Sequence, residues 1–360
     1  MFRALGAELI TPPMNSFKTL EIGSALSPGE MCLPFKLMLG NLIGAWERGA
    51  DTVLFPATMG PCRLGMYGEL LKRILEREGY SYKWILLDSP QAIGWLEFMR
   101  RLRQVPDAAA CSVPEMMRAL QLTFGILFDF EQLHQSYGLL CGDAKLSASA
   151  ERNDREAETA IKSDENLHEI KACLEKRKKE MQRLRKMKNE SVRTEREITL
   201  LVTGEIFSCV EPFANHQIEQ QLQKEKVSYL LTPDIRWWMH KTFHLPYFGR
   251  ESDASGEKRS RHDIGGLPCE VGGYARDTVR LGQNAKKMGF DGVIQLFPAG
   301  CMPEIVAKSV FDAESTSIGV PVLSLIFDEM GGEAGYITRV EAFVDLIRRQ
   351  KQAKRKRDRG

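Results

Sequence analysis

No apolar run in this chain of 360 residues is long enough to span a bilayer. Met1-Phe2-Arg3-Ala4-Leu5 opens without the apolar core of a secretory signal. Both absences lead us to expect a soluble, cytoplasmic protein with no membrane partner. Charge of one sign is not in excess either: Lys+Arg total 50 against Asp+Glu 48, a net of +2. That balance gives no whole-molecule field to recruit nucleic acid. The basic residues concentrate only in Lys176–Lys188 and Lys351–Arg359. There is no G-x-x-x-x-G-K-[ST] loop, hence no Walker-type ATP site, and no G-x-G-x-x-G after a strand, which counts against a dinucleotide site. The six histidines show no H-E-x-x-H spacing and the eight cysteines no C-x-x-C pair, so the usual zinc and ferredoxin patterns are missing.

What is present is a strand–helix rhythm at both ends. Val53–Phe55 and Lys83–Leu87 read as short buried strands. Pro34–Trp46 reads as a helix through the spacing of Phe35, Met38, Leu39, Leu42 and Ile43, with Gly49 as its stop. A second helix is expected over Leu64–Glu78. From Glu115 to Asn189 the periodicity is helical with no convincing strand. The stretch from Lys176 to Lys188 carries one thin apolar stripe, and its charge reads as a solvated face or a docking face. Strands resume at Ile198–Val202, Val227–Leu231, Val293–Phe297 and Val322–Phe327. They alternate with helices at Pro212–Gln223, Pro303–Phe311 and Thr338–Arg349. This pattern predicts an α/β protein with two Rossmann-like parallel-sheet domains of similar topology and a helical insertion between them. The boundaries read as 1–105, 106–195 and 196–350, with a basic tail over 351–360 that is expected to be disordered.

An internal echo supports the pairing of domains. Gly49-Ala50-Asp51 leads into Val53-Leu54-Phe55-Pro56-Ala57, and Gly289-Phe290-Asp291 leads into Val293-Ile294-Gln295-Leu296-Phe297-Pro298-Ala299. Each copy runs through a Gly-containing loop to a cysteine, Cys62 or Cys301, and then to a helix. Ligands of open parallel sheets bind beyond the carboxyl ends of the strands. Cys32, in Pro28-Gly29-Glu30-Met31-Cys32-Leu33-Pro34, also precedes a helix. Helix N-termini favour thiolate over thiol, and thiolate is the metal-binding form. A buried thiol in a reducing compartment is also an ordinary core residue. The residues by themselves leave both readings standing.

Several stretches together resemble a known family. Met31-Cys32-Leu33-Pro34-Phe35-Lys36, Gly40-Asn41 and Gly60-Pro61-Cys62-Arg63 are similar to the D-component of 2-hydroxyglutaryl-CoA dehydratase and its activase-related relatives. So are Gly204-Glu205-Ile206, Glu211-Pro212-Phe213, Gly272-Gly273, Gly300-Cys301-Met302-Pro303-Glu304-Ile305-Val306-Ala307 and Glu333-Ala334-Gly335. The resemblance covers most of the chain outside the helical middle. It implies a 4Fe–4S cluster held by Cys32, Cys62 and Cys301, with double-cubane clusters in some relatives. It also implies electrons from a separate ATP-dependent activase and an acyl-CoA substrate that loses water through a ketyl radical. A homodimer, or a heterodimer with a related subunit, is implied as well. Relatives open with a further strand and helix, and Phe2-Arg3-Ala4-Leu5-Gly6-Ala7-Glu8 resembles the end of that helix, so the expectation is either a first domain without that strand and helix or a misplaced start.

Other candidates carry weaker signals. Cys269 lies in a Gly-rich loop and could add a ligand. Cys209 reads as packing, and Cys111, Cys141 and Cys173 as thiols of the helical middle. Glu205, Glu211 and Glu304 fall near strand ends, where a carboxylate can relay protons. Glu304 reads more simply as an N-terminal helix charge, and the same reserve applies to Asp328-Glu329. Trp237-Trp238 is expected to pack between domains. His216, His240, His244 and His262 have no ligand spacing. Two further functions compete with a redox component. One is a non-catalytic scaffold or regulatory subunit docked on the activase; the other is a plain two-domain ligand-binding protein with core cysteines.

Overall fold

Ser16 caps a helix, its Oγ accepting the Thr19 N–H at 3.3 Å, and this helix, α1, runs over Phe17–Leu26. The computed structural model describes residues 8–56, 63–88, 90–109, 111–163, 166–190, 197–243 and 271–358, with Leu5 and Leu267. Helix α2 (Leu33–Glu47) crosses α1 at two glycines. A Cβ at Gly23 would lie 1.7 Å from the Lys36 carbonyl oxygen, and one at Gly40 2.0 Å from that of Thr19. Only hydrogen at both positions permits this approach.

Helix α2 has two apolar stripes. Phe35, Leu39 and Ile43 enter a core with Tyr67, Leu71 and Leu75. Leu33 and Leu37, nearly opposite on the helix, join Leu20 in a different core built on a second sheet. The first sheet is β1 (Thr52–Pro56) and β2 (Lys83–Leu87), parallel, with Thr52 opposite Lys83. A 3-10 turn over Arg63–Met66 leads into α3 (Tyr67–Arg77) between them.

Helices then follow without a strand among the described residues: α4 (Pro90–Ile93), α5 (Trp95–Leu102), α6 (Gln104–Ala109), α7 (Val113–Leu140), α8 (Ser147–Lys162) and α9 (Leu167–Glu190). A capping box starts α7: Ser112 Oγ accepts the Glu115 N–H and Glu115 Oε2 accepts the Ser112 N–H. Helices α7 to α9 share their own apolar core around Leu133, Leu140, Ala157, Leu174 and Met181.

The second sheet takes β3 (Thr199–Gly204), α10 (Ile206–Val210), α11 (Ile218–Lys224), β4 (Ser228–Leu231), α12 (Ile235–Phe243) and α13 (Ala275–Asn284). It continues with β5 (Gly292–Pro298), α14 (Met302–Ala313), α15 (Ser315–Ile318), β6 (Val322–Phe327) and α16 (Glu333–Asp358). Its order is β4-β3-β5-β6, all parallel. Every residue of β5 is buried, as expected of a central parallel strand covered on both faces. The protein is thus mixed α/β with two separate parallel sheets. The echo noted in the sequence is a repeated turn: Gly49 and Gly289 take φ of 94° and 84°, and each stands three residues ahead of its strand.

Two expectations need correction. Residues 351–358 are not a disordered tail but the end of α16. Lys351 Nζ anchors it on the Glu197 carbonyl (2.7 Å) and Asp291 Oδ1 (2.8 Å), and basic residues at a helix C-terminus suit its dipole. The helix expected from Pro212 starts only at Ile218. His216 and Gln217 have φ of 51° and 55°, and Asn215 Oδ1 caps the new start by accepting the Ile218 N–H at 3.2 Å.

Candidate functional site

Cys32 and Cys301 occupy the same structural position. Each is the extended residue immediately ahead of a helix, α2 and α14 respectively, and each is followed by proline in the first helical turn. Neither side chain caps its own helix. The Cys32 carbonyl accepts the Phe35 N–H (3.0 Å), and that of Cys301 accepts the Ile305 N–H (3.0 Å). The Cys32 thiol contacts the hydroxyl of Tyr67, whose ring is buried edge-on against Phe35, 4.9 Å between centroids. Cys301 is buried. Cys62 lies outside the described residues, immediately before the Arg63–Met66 turn, and so does Cys269.

One ion pair relates the two helix starts. Lys36, one turn into α2 from Cys32, is buried and donates to Glu329 Oε2 at 2.5 Å. Glu329 follows β6, and β6 pairs with β5 up to Pro298↔Phe327. The Ala299 N–H continues that ladder to the Phe327 carbonyl at 2.7 Å, two residues before Cys301. The start of α2 is thereby tied to the sheet end from which Cys301 emerges. Among the described residues, no group of three His, Cys, Asp or Glu side chains is gathered closely enough to hold a metal ion.

Behind Cys301 sits a carboxylate that the sequence does not mark as buried. Glu304, in the first turn of α14, is 1% exposed. It accepts from Thr278 Oγ1 (3.0 Å) and Gln295 Nε2 (2.9 Å). Glu304 thus stands in the first helical turn, where an N-terminal helix charge is expected, but its side chain points into the protein. Burial pushes its carboxyl up to about 7, with the nearby charge of Glu205 acting in the same direction. Glu205 is also buried and raised by desolvation. It caps α10 by accepting the Phe207 and Ser208 N–H groups at 2.9 Å each. Gly204 ahead of it has φ 142°, and a Cβ there would lie 2.0 Å from the Leu296 carbonyl oxygen. Substitution would force β3 away from β5.

Four other candidates are held by packing or hydrogen bonds. Cys209 is buried in the core of the second sheet, where desolvation drives its thiol far up. Cys141 bonds the Gly138 and Val227 carbonyls, both at 3.2 Å, and burial pushes it up to about 12. Trp237 packs on Tyr274 at 5.0 Å, and His216 stacks on Tyr336 at 4.6 Å. A network unmarked in the sequence joins α7 and α8 to the second sheet. His134 lies between Asp154 (3.0 Å) and Glu219 (2.8 Å), and Tyr229 donates to Glu219 at 2.6 Å.

No helix among the described residues is long and apolar enough to cross a membrane. Compared with known proteins, the chain matches no family model and no curated protein.

Proposed function

We propose that this chain is the iron–sulfur component of a reductase system of the 2-hydroxyacyl-CoA dehydratase type. In this reading two Rossmann-like lobes, bridged by α7 to α9, hold a 4Fe–4S cluster through Cys32, Cys62 and Cys301. The observation that carries it is the equivalence of Cys32 and Cys301 at two helix starts, linked by Lys36–Glu329. The donor set suits a soft metal: both are cysteine sulfurs at helix N-termini, and neither is spent on capping its own helix. Tyr67 supplies a hydroxyl that can donate to the Cys32 sulfur. Such hydrogen bonds tune the potential of a bound cluster.

When bound, such a cluster supplies one-electron transfer at low potential. The chain's own part is to fix the thiolates on two rigid helix starts and to shield them from water. A separate ATP-dependent activase would deliver the electron, in the cytoplasm, and an acyl-CoA thioester or another small molecule would receive it. Purification without oxygen should give a brown protein with about four irons per chain. Cys32→Ala, Cys62→Ala and Cys301→Ala should each lose the colour and the paramagnetic signal of the reduced cluster. Full iron in all three variants, or an iron-free colourless wild type under strict anaerobiosis, would overturn the reading.

A further inference from the structure

The two-stranded sheet has an open side. Among the described residues β1 pairs with β2 alone. The Lys83 N–H donates to the Asp51 carbonyl at 2.8 Å. In a parallel ladder successive residues turn their backbone groups to alternate sides, so 51, 53 and 55 face β2. Thr52 and Leu54 turn their N–H and C=O groups to the opposite edge.

A cavity of about 410 Å³ runs along that edge, in contact with Thr52, Val53, Leu54 and Phe55 in succession. Helices wall it on both faces of the sheet. Leu42 and Ala45 of α2 stand on the side to which Val53 and Phe55 point; Val105 and Ala109 of α6 stand on the side of Leu54. Glu8 is the single charged residue of the lining. A slot of this form offers backbone donors and acceptors along its floor and apolar walls above and below.

We infer that the free edge of β1 is a strand-acceptor site, filled by an extended, uncharged apolar segment of a partner polypeptide. The ladder selects the occupant. A compact apolar ligand would leave the Thr52 and Leu54 backbone groups without partners in a walled slot, which is unfavourable. An added strand pairs them. The two walls require apolar side chains on both faces of that strand, the pattern of a buried parallel-sheet strand and not of an amphipathic one. A second copy of this chain is a poor fit, because its β1 edge is recessed between the same two helices and cannot reach the first.

The test uses the full chain and a fluorescein-labelled peptide, Lys-Lys-Val-Ile-Val-Leu-Val-Lys-Lys, as the probe. Saturable binding is expected, read by anisotropy. Leu54→Pro removes the donor facing the slot and leaves the β1–β2 ladder its donors, so it should weaken binding by at least about tenfold. Leu54→Val should bind as the wild type does. Amide exchange on the wild type supplies a readout independent of any variant. Without the probe the Thr52 and Leu54 amides should exchange much faster than those of Val53 and Phe55. With the probe their protection should rise by at least about tenfold. The inference is overturned by no binding, or by binding with unchanged protection at Thr52 and Leu54. Slow exchange at both before any probe is added, or concentration-dependent self-association that protects them, would overturn it equally.

Discussion

Replacing Glu304 by Gln should stabilise the protein above neutral pH and leave it little changed in mild acid. The carboxylate is almost wholly enclosed, and its two hydrogen-bond partners, Thr278 and Gln295, are neutral. Burial first, and the charge of Glu205 in addition, raise it from an ordinary 4.5 to about 7. Between those values the folded chain keeps a proton that the unfolded chain has released. The associated stability is therefore complete below pH 4.5 and is lost as pH rises to 7. At 1.36 kcal/mol per pH unit the total is about 3 kcal/mol. Gln preserves the shape: its carbonyl oxygen can accept from Gln295, and its amide can donate to the Thr278 hydroxyl, which rotates to accept. Urea denaturation of both proteins between pH 5 and pH 8 measures the effect. The difference in unfolding free energy should grow by about 2–3 kcal/mol in favour of the variant across that range. Glu131, also raised to about 7 by burial and then by Asp234, bends both curves alike, so their difference isolates Glu304. Parallel curves would show that Glu304 is ionised in the folded chain across the whole range, and the reasoning would fail.

Three other outcomes follow from the geometry. Gly40→Ala should cost about 1–3 kcal/mol by pressing a methyl group on the Thr19 carbonyl of α1, measured as a fall in Tm with α1 amides exchanging faster. The Lys36–Glu329 pair should respond unequally, since the Lys36 side chain is 3% exposed and that of Glu329 38%. Glu329→Gln strands a buried cation and should cost on the order of 3 kcal/mol, whereas Lys36→Met leaves a carboxylate that water can reach and should cost less than half of that; equal losses in chemical denaturation would contradict this. His134 is held well above its ordinary value: burial opposes the charge, but bonds to Asp154 and Glu219 outweigh it. Its stabilising contribution should be complete below pH 6.5 and be lost as pH rises through the elevated value. His134→Gln should therefore destabilise the contact between α7 and β4 at pH 6 more than at high pH, read by amide exchange in β4.

The sequence is most legible where a single physical rule decides the outcome. The bounds of β2 and β6 coincide with the apolar runs Lys83–Leu87 and Val322–Phe327, because a short β-rich run bounded by turn residues has few other options. The helical middle is legible for the opposite reason: its long 3.6-residue periodicity leaves no room for a strand. The correspondence ends where specific side-chain bonds override the pattern of residue types. Pro212 looks like a helix start, yet Asn215 moves that start to Ile218 by bonding the chain around it, its Nδ2 donating to the Ser208 carbonyl at 2.9 Å. The basic run after Lys351 looks solvated, yet Asp291 from another part of the chain holds its first residue.

The same limit governs the candidate site. That Cys32 and Cys301 precede helices is written locally, in the Leu33-Pro34 and Met302-Pro303 pairs that follow them. That the two helix starts belong together is not local. It depends on α2 having one stripe for each core, Phe35 and Leu39 for one and Leu33 and Leu37 for the other, and on Lys36 reaching Glu329 across 293 positions of sequence. A periodicity of apolar residues shows that α2 is buried on nearly all sides, but it carries no information about which sheet meets which stripe. The buried cation does carry some: a lysine in an otherwise apolar first turn requires a carboxylate from elsewhere. Asp328-Glu329, just past a strand end, is an acidic pair placed to answer it. A buried lysine in an apolar helix and an acidic pair past a strand end are thus the sequence signals that join the start of α2 to the end of β6.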